Sequence, residues 1–331
     1  MRTLRLSRDA LSAAAPALPL GYAAVRAFWL VHGFPFDRAP IGSDLVSVHG
    51  WDSVALCCFA ALIVAAARRM PARVPRPLVV AAGWGTAAVL AGSAALLLLD
   101  VVGAILPGLG LVFEPLGALS RAACAGCAVL TARATLAYQR RTRTGRTLLA
   151  PLSRTPRWAF VAAYAASAGC LVRIAAQAWV GLETSPLRSG TAEVLFELGF
   201  VLGGTLLPAA LVHAFGRTWP RWVPVLARRR VPRRLVLWPG AAVSAGLIAY
   251  FGTMTLQMIW ERLHGRNPFP PSGGLDLPEA FFWIAVPGYL VWGIGLAAAS
   301  VAYARRTKIP DAAASTCAPP IDRATERTVP G

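Results

Sequence analysis

Residues 158–181 read WAFVAAYAASAGCLVRIAAQAWVG, and the reading of this stretch decides the fold. At about 1.5 Å of rise per residue such a helix crosses the roughly 30 Å apolar core of a bilayer. It holds a single charge, Arg173, and a tryptophan near each end, Trp158 and Trp179. A water-soluble helix of that length shows a polar face, and this one has none, so it reads as a membrane span.

Working outward, windows of the same kind recur at 10–32, 51–68, 78–100, 115–137, 191–215, 236–260 and 280–304. Eight spans follow, and the predicted fold class is an all-α membrane protein, a bundle of about eight transmembrane helices. Composition agrees: the 331 residues are 56% hydrophobic and 15% charged, with a mean hydropathy of +0.55. That is more apolar surface than a soluble globule of this length can bury.

The net charge of +18 does not argue for nucleic acid, because the arginines cluster between apolar windows rather than over one soluble face. Arg68, Arg69, Arg73 and Arg76 follow the second window. Arg140, Arg141, Arg143, Arg146, Arg154 and Arg157 follow the fourth, and Arg217, Arg221, Arg228, Arg229, Arg230, Arg233 and Arg234 the sixth. These connectors are predicted on the cytoplasmic side, with Arg2, Arg5, Arg8, Arg305, Arg306 and Lys308 beside them. Both termini then lie inside a cell membrane. Asp37, Asp44, Asp52, Asp100, Glu114, Glu183, Glu193, Glu197, Glu261, Asp276 and Glu279 gather on the opposite side. Residues 1–308 form the predicted membrane domain, and 309–331, rich in Ala, Pro and Thr, a cytoplasmic tail without regular structure.

Two internal matches point to a duplication in different registers. Residues 74–80, VPRPLVV, resemble 231–237, VPRRLVL, which suits two four-helix halves in parallel orientation. Trp29 to Gly33 with Pro35, Phe36, Asp44, Leu45 and Trp51 resembles Trp260 to Gly265 with Pro268, Phe269, Asp276, Leu277 and Trp283, which instead pairs the first hairpin with the last. Gly21, Tyr22, Arg26, Trp29 and Gly33, followed by an aromatic and proline-bearing loop, resemble a signature of uncharacterised multi-pass membrane proteins of high-GC bacteria. That resemblance covers the first hairpin and implies membrane residence alone.

Charges inside the windows carry the functional expectations. Arg26, Arg121 and Arg173 fall in one layer, about 9–12 Å below the acidic boundary, and Asp52, Asp100, Glu193 and Glu197 reach the same half. Glu193 and Glu197 are spaced i, i+4 on one helical face. The tentative ligand-binding set is Arg26, Arg121, Arg173, Glu193, Glu197 and Asp52, a polar layer able to bind or pass a small anionic solute or lipid. The same residues can instead act only as interhelical ion pairs of a non-catalytic scaffold or regulatory partner, with Arg173 meeting Glu193 or Glu197 and Arg26 meeting Asp52. A third reading is a thiol oxidoreductase built on Cys124 and Cys127, a C-x-x-C with Cys57 and Cys58 at similar depth. Apolar surroundings and the lack of a loop cysteine weigh against it.

His32, His49 and His264 lie near the acidic boundary without metal-ligand spacing, and His213 is expected in solvent. No phosphate-cradling glycine loop, nucleophile elbow or dinucleotide fingerprint is legible, so the chain offers no catalytic residue, cofactor or metal motif. Gly199 and Gly203 form a G-x-x-x-G that reads as helix packing. The expected partner is the bilayer itself, with a small anionic ligand or lipid as the second.

Overall fold

The computed structural model describes residues 16–33, 50–69, 75–109, 111, 113–142, 152, 154–181, 190–219, 229–268 and 277–307. The N-terminal arginines, the tail 309–331 and Asp37, Asp44, His49, Glu183 and Asp276 lie outside them. The described elements are helical: α1 (Ala17–His32), α2 (Gly50–Arg69), α3 (Arg76–Ser93), α4 (Leu97–Ile105), α5 (Pro115–Thr142), α6 (Arg157–Val180), α7 (Thr191–Val212), α8 (Arg233–Leu263) and α9 (Glu279–Arg306). Seven helices are long and apolar enough to cross a membrane, with α3 and α4 counted together. The first predicted span is represented by α1, whose 16 residues begin where the described chain begins.

The distribution of side chains inverts that of a soluble protein. Ala159, Ala163, Ala166, Cys170, Thr131 and Thr135 are buried, while Val161, Val194 and Leu256 are 67%, 66% and 69% exposed. Small residues inside let helix backbones approach, and large apolar residues outside need an apolar solvent. Trp51, Trp158, Trp179, Trp238 and Trp260, predicted at span ends, are all exposed.

The chain packs as two four-segment lobes. In the first, α5 touches α1, α2, α3 and α4; in the second, α9 touches α6, α7 and α8. The closest approach is between α6 and α9. A Cβ on Gly169 would meet the Gly288 carbonyl oxygen at 2.5 Å and the Trp292 nitrogen at 2.8 Å, and one on Gly295 would meet the Ala166 nitrogen at 2.9 Å. Between lobes, α8 rests on α3 and α4, and the 3₁₀ turn Pro107–Leu109 rests on α7.

Equivalent contacts recur in the two lobes. The matched VPR motifs start α3 and α8, each after a proline, Pro75 (φ −55°, ψ 111°) and Pro232 (φ −55°, ψ 123°), whose missing N–H costs nothing at a helix start. Nine residues on, Gly83 faces Thr135 of α5 and Gly240 faces Ser300 of α9. Thr135 and Ser300 belong to ATLAYQRR (134–141) and ASVAYARR (299–306), a match that pairs the last helices of the two lobes as the VPR pair matches the helices before them, though not at the same residue offset. The alternative pairing of the first hairpin with the last gains no such packing counterpart among the described residues.

Pro208, Pro239 and Pro287 lie inside α7, α8 and α9, and each helix continues through its proline. Gly199 and Gly203 behave differently from expectation: nothing lies within 4 Å of a Cβ placed on either, and the close contact of α7 is made by Gly204 against Cys170 and Trp292. The G-x-x-x-G therefore faces outward. We expect Gly169→Val to destabilise the detergent-purified protein by about 3 kcal/mol or more, and Gly199→Val by under about 0.5 kcal/mol, read as thermal unfolding midpoints.

Candidate functional site

All described acids, Asp52, Asp100, Glu114, Glu193, Glu197, Glu261 and Glu279, sit toward one end of the helices. The described members of the arginine-rich connectors sit at the other. At the boundary itself Arg262 meets Glu279 at 3.5 Å and Arg266 meets Glu261 at 2.7 Å, and deeper in the acidic half charge forms two clusters, one per lobe.

The first is built by a break in a helix. The backbone tightens through Ala94 to Leu96, with Ala95 N–H donating to Gly92 C=O at 2.9 Å and Leu97 N–H to Ala94 C=O at 3.0 Å, and then restarts as α4. Asp100 falls in the first turn of the restarted helix, where the helix dipole favours an anion. Arg121 of α5 grips it with both sides of its fork, Nε donating to Oδ2 at 2.5 Å and Nη2 to Oδ1 at 2.6 Å. The two side chains are 14% and 1% exposed, so this is a buried, bidentate, charge-assisted pair.

Beside it, the Tyr22 hydroxyl and Ser120 hydroxyl share a 2.7 Å hydrogen bond, and the Cys124 thiol donates to Tyr22 at 3.5 Å. The Arg26 guanidinium lies 5.9 Å from the centre of the Tyr22 ring. Cys57, Cys124 and Cys127 pack with Tyr22, Ala23 and Leu90 in one apolar cluster, and all three are free thiols. The C-x-x-C is thus part of the first lobe's core. Asp52 is exposed in the first turn of α2.

The second cluster centres on Arg173 of α6. Its Nη1 lies 3.7 Å from Glu197 Oε1, and its guanidinium stacks near Phe200 (4.9 Å) and Tyr289 (5.6 Å). Phe251 and Trp292 extend the ring cluster, Phe251 stacking on Tyr289 at 3.9 Å and Trp292 meeting Phe200 edge-on at 4.8 Å. The Trp292 indole N–H is buried and has no partner among the described residues. Glu193 stands one helical turn beyond Glu197 on α7 and joins no described ion pair. Arg26 and Arg121 therefore share the first lobe, and Arg173 belongs to the second.

The histidines bond locally. His32 and His264 each place Nδ1 against a carbonyl four residues back, Phe28 at 3.1 Å and Trp260 at 2.8 Å. His213, expected in solvent, instead meets the Tyr164 hydroxyl at 3.1 Å among the rings of Phe160 and Phe215. Among the described residues no group of three His, Cys, Asp or Glu side chains could hold a metal ion. One intramembrane-window arginine escaped the sequence reading: Arg133, on the exposed face of α5, which a count of charges in 115–137 finds at once. Its long stem can carry the charge along the helix toward the basic end.

Comparison with known protein families, with curated proteins and with solved structures finds no match.

The pair geometry gives a prediction. Asp100→Asn leaves Arg121 buried without its counter-charge and is expected to cost about 3 kcal/mol or more. Asp100→Asn with Arg121→Gln should lose clearly less than the sum of the single changes, and the Arg173→Ala, Glu197→Ala cycle should show a smaller coupling of the same sign. Strict additivity in thermal unfolding would remove the pairing.

Proposed function

We propose that the chain is an integral membrane protein of eight spans, with the basic connectors and both termini on the cytoplasmic face of the cell membrane, built as a tandem repeat of two parallel four-helix lobes. The inverted packing carries this reading, since a surface of exposed leucine, valine and tryptophan around a core of alanine, glycine and threonine is stable only in an apolar solvent. The segregation of charge between the two ends supplies the orientation.

Within that frame we infer a non-catalytic membrane scaffold or regulatory partner whose charges in the acidic half set helix register. The Arg121–Asp100 fork supports it, because a guanidinium held by both oxygens of a buried carboxylate already has its counter-charge. A second reading keeps Arg26, Arg121, Arg173, Glu193, Glu197 and Asp52 as a site that binds or passes a small anionic solute or lipid. What favours it is the looser 3.7 Å contact of Arg173, open on its Glu197 side, with the Trp292 N–H nearby. The α3–α4 break also resembles the discontinuous helices from which transporters build midplane sites.

Two measurements decide. Reporter fusions in the connectors after α2, α5 and α7 should all report the cytoplasm, and a single one outside the cell sinks the topology. In thermal-shift assays with succinate as the anion, the scaffold reading expects no stabilisation; a shift of several degrees that Arg173→Gln abolishes would establish the binding reading instead.

A further inference from the structure

At the basic end of the second lobe the chain folds a small cage that none of the charges in the acidic half explains. After α7 a 3₁₀ turn, Ala214–Gly216, leads into an isolated antiparallel bridge between Thr218 and Arg230. Two backbone bonds fix it: Trp219 N–H to Arg229 C=O at 3.0 Å and Val231 N–H to Arg217 C=O at 2.8 Å. The Tyr303 hydroxyl of α9 donates to Gly216 C=O at 3.0 Å and ties the turn to the lobe core. Between these parts lies a cavity of about 440 Å³, within the usual span of small-ligand sites.

Four arginines line it, Arg217, Arg230, Arg233 and Arg306, together with Thr218 and Thr307, and among the described residues no carboxylate does. Two of the four are anchored through backbone carbonyls. Arg306 donates from Nη1 to Val212 C=O at 3.0 Å and to the Thr155 hydroxyl, and from Nη2 to Leu211 C=O at 3.1 Å, capping the open end of α7. Arg233 donates from Nη2 to Ala304 C=O at 3.1 Å. Carbonyls orient these cations without neutralising them. The Arg306 Nε is buried and has no partner among the described residues. Like charges fixed side by side repel unless an anion joins them, so the cage is built for a counter-ion.

We propose that this cavity binds a phosphomonoester, supplied either by the headgroup of an anionic lipid or by a soluble phosphate ester. The positive charge of four guanidinium groups, and the N–H donors that Arg217, Arg230, Arg233 and Arg306 have left, exceed what one carboxylate can answer, whereas a phosphomonoester offers three acceptor oxygens and close to two negative charges. The two threonine hydroxyls are not part of that donor set: Thr218 donates to Ala214 C=O at 3.3 Å and Thr307 to Tyr303 C=O at 2.7 Å. The site is formed within the chain, so a soluble ester tests it whether or not the chain spans a membrane; only the lipid source rests on the membrane reading.

The test uses the full chain in detergent and in nanodiscs of neutral lipid, with sn-glycerol 3-phosphate and phosphatidic acid as probes that share one headgroup chemistry. Arg217→Gln with Arg230→Gln should weaken binding by about tenfold or more, while Arg140→Gln with Arg157→Gln, at the same end but outside the cavity, should stay within about twofold. Because the double variant removes repulsion, its thermal midpoint without ligand should hold or rise. Arg217→Lys guards against a folding failure: it keeps the charge, loses the fork, and should weaken binding several-fold. Binding of phosphatidic acid alone assigns the lipid source, and binding of both probes assigns the phosphate group itself. Binding of neither probe, or equal weakening by the control pair, overturns the proposal.

Discussion

The backbone-to-backbone approach of α6 and α9 is the constraint on which the architecture depends. Gly169, Gly288 and Gly295 leave no room for a Cβ, and Ala159, Ala163, Ala166 and Cys170 continue the same narrow stripe along α6. With so little side-chain volume in the seam, many large apolar residues turn outward, while Leu211, Leu296, Trp292 and Tyr303 fill the space beside it. Helices that meet through small residues gain dispersion contacts and Cα–H donors along their whole length, which is how association proceeds where no hydrophobic drive exists between them. The oily exterior and the glycine-rich interior are one fact seen from two sides.

Charge is arranged under the same constraint. A core of small residues cannot solvate an arginine, so each buried guanidinium must bring a partner or reach an end. Arg121 has Asp100, presented by the restart of a helix whose dipole lowers the cost of the carboxylate there. Arg173 has Glu197 and two aromatic faces, a softer environment of larger rings, which fits its longer ionic contact. Arg306 reaches the end of its helix and spends its donors on carbonyls that α7 leaves open. The three cations thus illustrate three ways to hold an arginine in apolar surroundings, and only the last leaves its positive charge without a carboxylate partner at the wall of a cavity.

Much of this was legible in the residues. Each apolar window falls on a described helix, because length and the absence of a polar face are local properties, and depth put Arg173 within reach of Glu193 or Glu197, of which Glu197 makes the contact. Three features were not legible. The break at Ala94–Leu96 falls in an unbroken apolar run with no proline or polar residue to announce it, so 78–100 read as one span. The outward face of Gly199 and Gly203 depends on how α7 is rotated, which a G-x-x-x-G does not state. The cage joins Arg217, Arg230, Arg233 and Arg306 from segments far apart in the chain, and a basic connector looks the same in sequence whether it forms a cavity or a solvated loop.

The pairing of lobes shows how equivalent positions can diverge while the seam is kept. In the register that aligns Tyr138 with Tyr303, the seam residues Thr135 and Ser300 both face a glycine, Gly83 and Gly240, so the contact between third and fourth helices survives as small against small. About two to three turns toward the acidic end the lobes part: Cys124 and Cys127 stand where the second lobe has Tyr289 and Trp292. Thiols fill the first lobe and let Tyr22 reach Ser120, whereas rings fill the second and give Arg173 its faces. The seam tolerates only small side chains and so stays alike, while the volume above it accepts either small residues with a polar link or large rings. Difference between the lobes is therefore concentrated in the acidic half and excluded from the seam, where a single carbon added to Gly83 or Gly240 meets the facing hydroxyl side chain.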